Sequence, residues 1–270
     1  MWSETAMKVE AVQKPKYAAA LITGASSGLG AAFVRLLDET LPDDVALWLL
    51  ARNEEKLKTF AAGLKHQTRV LALDLRDEAS CKRIGDALRE QGASVQLLIN
   101  NAGEGREGRF EELDASSCRS LCDLNVRSQV AVTSAVLPFM EAGSAIVFVA
   151  SVAAFLPQPG FAAYAATKAF ILSFGRALAE ELRRREIHVT VTCPNPMLTD
   201  FFTHEEKEKL LASYKRWGIE NPDTVAAKTL GAVRRRKVVV VTPLSGRLVR
   251  VLSKVVPVKW MTRLLGMVLV

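Results

Sequence analysis

The sequence predicts an α/β protein: a doubly wound, mostly parallel sheet of seven strands, helices on both faces, and a basic amphipathic carboxy-terminal extension. Three observations carry this. Short apolar runs alternate with longer stretches of helical period along most of the chain. The runs are apolar on both faces, as strands covered on both sides must be. A glycine-rich turn follows the first run and opens the first helix. Strands alternating with helices imply right-handed crossovers and parallel pairing.

Taken in order, Tyr17–Thr23 reads as the first strand, Gly24–Gly30 as the glycine turn and Ala31–Glu39 as the first helix. Val45–Ala51, Arg69–Leu73, Val95–Ile99 and Ala145–Ala150 read as strands two to five, separated by helices over Glu54–Leu64, Asp77–Glu90 and a long Ala115–Met140. Phe161–Arg185 is a helix, Ile187–Cys193 the sixth strand, Asp223–Arg234 a helix and Val238–Thr242 the seventh strand. No internal repeat or low-complexity linker interrupts the series, so one domain over 1–270 is expected, with its core at about 17–242. Two stretches break the alternation. One is a polar insertion at about 194–222, of a length usual for lids and binding loops. The other is the tail, about 244–270.

Composition narrows the function. The chain has 270 residues, 49% of them hydrophobic and 24% charged, which suits a globular protein with a substantial core. The four cysteines form no Cys-x-x-Cys pair and there are only three histidines, so neither a metal site nor a disulfide framework is expected. Reduced thiols fit a cytoplasmic protein. Neither a secretion signal nor a conventional spanning helix is read from the chain. The net charge of +7 is unevenly placed. No acidic residue follows Asp223, whereas Lys228, Arg234, Arg235, Arg236, Lys237, Arg247, Arg250, Lys254, Lys259 and Arg263 do. The basic run at 234–237 supports only non-specific contact with nucleic acid, which is not expected as a partner.

The chemistry centres on Tyr164 and Lys168. Four residues apart on a helix, they share a face, and an ammonium beside a phenol favours the phenolate, bringing a group of ordinary pKa about 10 within use as an acid or base. At the other end, Gly24, Gly28 and Gly30 give the turn after the first strand the freedom to bring its backbone against a pyrophosphate at the helix amino terminus.

On these residues the chain resembles the short-chain dehydrogenase/reductase family, over roughly Tyr17 to Thr242. Its Thr-Gly-x-x-x-Gly-x-Gly loop stands at Thr23, Gly24, Gly28 and Gly30, its Asn-Asn-Ala-Gly turn at Asn100–Gly103, and its Tyr-x-x-x-Lys at Tyr164 and Lys168. The resemblance implies a Rossmann-type sheet and an oxidoreductase interconverting a carbonyl and an alcohol. It makes Tyr164 the acid/base, Ser151, thirteen residues earlier, the donor to the substrate oxygen, Lys168 the partner of the nicotinamide ribose, and Asn125 the holder of a relay water. It assigns the cofactor to Gly24, Ser26, Ser27, Gly28, Leu29, Gly30, Asp74, Leu75, Asn101, Ala102, Gly103, Tyr164, Lys168, Pro194, Met197 and Thr199. NAD-preferring relatives end the second strand with an aspartate. Here Ala51 is followed by Arg52, which can fork onto a 2′-phosphate, with Ser26 close by, so NADP(H) is the expected cofactor. Family members are often dimers or tetramers through paired helices, here Ala115–Met140 and Phe161–Arg185.

The chain departs from the family in two places. Asn195 replaces a glycine after the sixth strand, and asparagine tolerates left-handed geometry. Glu104 follows the Asn-Asn-Ala-Gly turn, either as a solvated turn or as a contact to a polar substrate group. The stretch Ser151–Pro159, which holds Val152, Phe155 and Leu156, forms the expected substrate wall with Tyr164, Met197, Leu198, Phe201 and Phe202. That wall suits a hydrophobic ketone or alcohol of steroid-like or acyl type, as a carbonyl reductase or hydroxysteroid dehydrogenase would take. The tail packs over the pocket or a partner subunit, or lies on an anionic membrane surface. Two readings of other classes stand beside the enzyme: a non-catalytic NADP-binding sensor or scaffold, and a peripheral membrane protein acting through its tail.

Overall fold

A computed structural model of the chain describes residues 17–201, 205, 207, 208, 211 and 218–269. Seven parallel strands form one sheet: β1 Tyr17–Thr23, β2 Val45–Ala51, β3 Thr68–Ala72, β4 Ala93–Asn100, β5 Ala145–Val149, β6 His188–Cys193 and β7 Val239–Val241. They lie in the order β3-β2-β1-β4-β5-β6-β7, the doubly wound Rossmann arrangement. The strand order reverses between β1 and β4, so a crevice opens there at the carboxyl edge of the sheet.

Side chains on β1 leave alternately to two cores. Ala19 and Leu21 join the core beneath α3 (Glu78–Gln91), α5 (Ser128–Val136) and α6 (Ala162–Glu181). Ala20 and Ile22 join the other, beneath α1 (Gly28–Thr40), α2 (Glu54–Ala61) and α7 (Pro222–Arg234). All four are fully buried, which is why the strand reads as a continuous apolar run with no polar alternation. Helix starts follow their caps: Asn53 accepts from the Lys56 N–H at 2.8 Å, and Asn221 from the Asp223 N–H at 2.8 Å, one residue before Pro222.

The predicted helix over 115–140 is divided. It consists of α4 (Ala115–Cys122), a wide π-type turn over Asp123–Arg127, and α5, with a short 3-10 turn at Leu137–Phe139. The inserted turn carries Asn125 into the interior, where it is fully buried. π-turns within helices recur at functional sites, and hydrophobic spacing gives no notice of them. The tail is two helices, α8 (Leu244–Val255) and α9 (Val258–Leu269), parted at Pro257. Phe202 and the 214–217 segment lie outside the described residues. The four cysteines are free thiols. No helix among the described residues is long and apolar enough to cross a membrane.

Helix α6 lies tightly on the sheet at Gly175, where a Cβ would stand 2.4 Å from Val191 Cγ2 and 3.2 Å from Phe148 Cδ2. Val191 is β-branched and fully buried on β6, between β5 and β7, so it has nowhere to retreat. Gly175→Val is expected to overpack this contact and destabilise the fold by about 1–3 kcal/mol. Thermal unfolding of the purified protein measures this as a Tm lowered by several degrees.

Candidate active site

Thr23, at the end of β1, ties the glycine turn to the turn after β4. Its Oγ1 accepts the N–H groups of Asn101 at 2.9 Å and Ala102 at 3.0 Å. The Asn101 side chain returns two bonds, donating to the carbonyls of Thr23 at 3.0 Å and Gly24 at 3.3 Å. Gly24 and Gly28 hold φ of +66° and +54°, where a side chain is strained. At Gly30 the limit is space: a Cβ would lie 2.0 Å from the Gly24 carbonyl oxygen. Ser27 occupies the cap position of α1 without a side-chain cap bond, so the first N–H groups of α1 are left to a ligand.

A cavity of about 1160 Å³ runs from this turn to Tyr164. Ser26, Ser27, Leu29, Arg52, Asp74, Leu75, Asn101, Ala102, Gly103, Pro194, Met197 and Thr199 line it, with Gly24 and Gly28. The uncapped helix end, the two left-handed glycines and the length of the cavity fit a nicotinamide dinucleotide. Of the residues expected at the cofactor, Gly30 stands behind the turn and does not line the cavity.

At the inner end Ser151, which follows β5, is hydrogen-bonded to Tyr164, and its Oγ also accepts the Ala153 N–H at 3.1 Å. Burial pushes the Tyr164 phenol up to about 12, with the Ser151 bond pulling the other way. Burial likewise pushes the Lys168 ammonium down to about 8. The sequence leads one to expect the Lys168 ammonium against the phenol, but it is bonded elsewhere. Its Nζ donates to the Val149 carbonyl at 3.0 Å and stands 5.6 Å from the centroid of the Tyr164 ring. Desolvation therefore decides both groups, and each is driven towards its neutral form.

Asn125 lies behind Lys168 and does not line the cavity. It clasps the backbone of Glu104, accepting its N–H at 2.9 Å and donating to its carbonyl at 2.8 Å, while Nδ2 also reaches Thr167 Oγ1 at 3.1 Å. Gly103 is where the two meet: a Cβ there would stand 3.0 Å from Asn125 Oδ1 and 3.4 Å from Lys168 Nζ. Of the alternatives for Glu104–Arg106, the solvated turn describes exposed Arg106, and Glu104 itself makes no contact with the cavity. Its carboxylate turns away from the cavity, accepts from Ser120 Oγ at 3.2 Å and faces Arg76 at 3.8 Å. Arg76 also pairs with Asp74 at 3.1 Å and so holds the Asp74 carboxyl below its usual range against the burial that raises it.

Three further expectations change. Phe155 lies outside the cavity, half-buried against the tail with Arg250 6.0 Å from its ring, because the short 3-10 turn at Val152–Phe155 sends it away from Tyr164. Leu198 is 41% exposed and also outside. Asn195 has no left-handed backbone, which among the described non-glycine residues occurs at Glu186 and Arg236. Its side chain instead donates to the Gly218 carbonyl at 3.0 Å and to Ser245 Oγ at 3.1 Å, tying the loop after β6 to the tail.

The walls near Tyr164 include residues the sequence reading missed. Phe161 stacks on the Tyr164 ring at 4.3 Å, and the expected Phe201 meets that ring edge-on at 5.9 Å. Leu156 and Val152, from the expected Ser151–Pro159 stretch, complete an apolar enclosure with Val249 and Leu265. The last two come from the tail, far along the chain, so no local pattern marks them. At the outer end Lys56 lines the cavity and pairs with Asp200 at 2.9 Å. Its spacing of four from Arg52 is the one signal that could have found it.

The family model for short chain dehydrogenases matches residues 18–210. Sulfoacetaldehyde reductase 2 of Chromohalobacter salexigens is 36% identical over 187 residues, covering 67% of this chain and 73% of the relative. A solved short-chain dehydrogenase from Sphingobium yanoikuyae in complex with NADPH superposes with a TM-score of 0.69 at 30% identity, covering 84% of this chain and 88% of that one. A short chain dehydrogenase/reductase from Burkholderia phymatum in complex with NAD gives a TM-score of 0.73 at 26% identity, covering 85% and 90%. With the glycine turn, the seven-stranded sheet and this match over most of its length, the chain belongs to the short-chain dehydrogenase/reductase family of oxidoreductases.

Proposed function

We propose that the protein is an NADP(H)-dependent oxidoreductase that interconverts a bulky apolar ketone or aldehyde and its alcohol. The observation that carries this is the placement of the Tyr164–Ser151 pair, buried at the apolar end of a cavity whose other end meets the open amino terminus of α1.

A nicotinamide bound there would supply or take up the hydride at the carbinol carbon. The chain's own residues would manage the oxygen and the proton. Ser151 and Tyr164 would both donate to the carbonyl oxygen, meeting the negative charge that grows on it as the carbon is reduced. Tyr164 would then release its proton to that oxygen, and a phenol kept protonated by burial is ready for that direction. Lys168 would hold positive charge near the phenolate that remains. Asn125, through the Glu104 backbone, would keep the Gly103 turn clear of Lys168. Gly24, Ser26, Ser27, Gly28 and Leu29 would receive the pyrophosphate side of the dinucleotide, and Asp74 and Leu75 the adenine. Asn101, Ala102 and Gly103 would flank the ribose, with Pro194, Met197 and Thr199 at the nicotinamide amide.

Two features support the finer choices. The end of β2 presents Arg52, with Lys56 one turn on, and no carboxylate from Ala51 to oppose a 2′-phosphate. Around Tyr164 the walls are Phe161, Phe201, Leu156 and Val152. Among the described lining residues the only cation besides Arg52 and Lys56 is Lys168 itself. A small sulfonate such as the relative's substrate would find no counter-charge there beyond the catalytic lysine, whereas an apolar ketone would bury its body against these rings.

The central test follows NADPH absorbance with a panel of steroid, acyl and aryl ketones beside sulfoacetaldehyde, in the native protein and in Tyr164→Phe. Turnover is expected to favour the apolar ketones and to fall ~10²–10⁴-fold in the variant, the usual range for loss of a general acid. Unchanged turnover in a folded Tyr164→Phe protein would sink the mechanism. Arg52→Asp is expected to raise the KM for NADPH about tenfold or more, about 1.4 kcal/mol, and to leave NADH use intact. Because Lys168 carries its charge below about 8, kcat/KM for reduction is expected to be level below that pH and to decline above it. A pH profile of the native enzyme beside Lys168→Arg checks this, since arginine stays charged and should carry the plateau to higher pH.

A further inference from the structure

The tail leaves an apolar surface uncovered. Of the fourteen large hydrophobic residues exposed among those described, nine lie between Leu244 and Met267. Scattered exposed apolar side chains are ordinary, but a cluster of this kind marks a contact surface. On α8, Leu244, Leu248, Val251 and Val255 recur at helical spacing and are 58–78% exposed. On α9, Trp260, Leu264 and Met267 repeat the pattern at 60–77%.

The charges follow the same geometry. Arg247, Arg250 and Lys254 each stand one residue before a member of the α8 stripe, and Lys259 and Arg263 one residue before a member of the α9 stripe. One side of both apolar stripes is thus edged by cations, and the segment holds no acidic residue. The opposite faces anchor the helices to the enzyme. Gly246 is so close to the body that a Cβ would lie 2.5 Å from Val152 Cγ2, and Arg247 Nε donates to the Val241 carbonyl at 3.1 Å. On α9, Leu265 lies at the cavity wall and Gly266 beside Pro159, so both outer stripes face away from the body.

We propose that α8 and α9 dock the enzyme on an anionic lipid surface, with Leu248, Trp260 and Leu264 entering the boundary between headgroups and acyl chains, and Lys254, Lys259 and Arg263 meeting lipid phosphates. Long basic side chains beside an apolar stripe are what an interfacial helix needs, since their stems lie along the apolar surface while the charges stay at the headgroups. A second copy of the chain is the poorer occupant, because a self-complementary contact would set Lys254, Lys259 and Arg263 of one molecule against the same three of the other with no acid of the segment between them. Val249 and Leu265 of the same helices line the cavity, so the docked face adjoins the place where an apolar molecule would enter. The inference stands on this surface alone and holds whichever carbonyl compound the cavity takes.

Co-sedimentation of the full chain tests it, using extruded vesicles of phosphatidylcholine alone or with roughly one third phosphatidylglycerol. At about 0.1 M salt the native protein is expected to partition onto the mixed vesicles about tenfold better than onto the neutral ones, and to lose most of that preference at about 0.5 M. Lys259→Glu with Arg263→Glu should remove the preference for anionic lipid. Leu248→Glu with Leu264→Glu should lower binding to either vesicle about tenfold. These side chains are exposed, so unchanged thermal unfolding and unchanged NADPH fluorescence on binding confirm that fold and cofactor site are intact. Sedimentation of the Leu248→Glu/Leu264→Glu protein equal to native would overturn the proposal, as would failure of the native protein to bind mixed vesicles at low salt. A light-scattering dimer that these substitutions dissolve, without lipid binding by the native protein, would assign the surface to a second copy and also overturn it.

Discussion

Every part of the site stands on the junction between the ends of β1 and β4. Thr23 and Asn101 exchange four hydrogen bonds across it, counting those to Ala102 and Gly24. Buried polar groups are costly unless paired, and here each partner satisfies backbone that a strand would otherwise have engaged. The result is a crevice with fixed edges at the one point where the sheet changes winding direction. The glycine turn can approach closely because Gly24 and Gly30 leave no Cβ between them, and α1 begins uncapped at the crevice mouth. Moving that junction would move the helix end, the turn at Gly103 and, through Asn125 and Lys168, the floor beneath Tyr164.

The inner site is governed by desolvation. Tyr164 and Lys168 are both buried, and the phenol moves up while the ammonium moves down. A proton is therefore held firmly on oxygen and loosely on nitrogen, an arrangement suited to giving a proton to a nascent alkoxide and recovering it through the lysine. The apolar rings that make this environment, Phe161 and Phe201, are the same ones that would select the substrate. Acid strength and substrate class thus have one cause.

Much of the fold was legible in the sequence because its signals are local. The strands are apolar runs, β1 and β2 ending directly at Gly24 and Arg52, while Asp77 and Asn221 cap helices; the strand bounds match the apolar runs to within two residues. The same is true of the motif residues, which the chain brings into or beside one cavity from β1, β2, β4, β5 and α6. The division of the helix at Asp123–Arg127 was not legible. A π-turn needs no special residue, and the bonds that Asn125 makes from it reach the Glu104 backbone 21 positions away. Nor could spacing tell that Phe155 would turn outward while Phe161 turned in, since both lie among small apolar residues and one 3-10 turn decides between them.

The class of fold, the glycine turn and the helical pairing of Tyr164 with Lys168, to which the proposed function gives the proton, are written in the chain itself, because each depends on backbone geometry or on spacing within a single element. Only the tertiary structure decided what surrounds them. It paired Glu104 with Ser120 and Arg76, tied Asn195 to Ser245, and brought Val249 and Leu265 from the tail to the cavity wall. It also left one stripe of each tail helix bare while setting Gly246 against Val152 and Val241, and Leu265 at the cavity wall. Those outcomes rest on contacts between residues tens to more than a hundred positions apart, where volume and desolvation are settled only when the whole chain is packed.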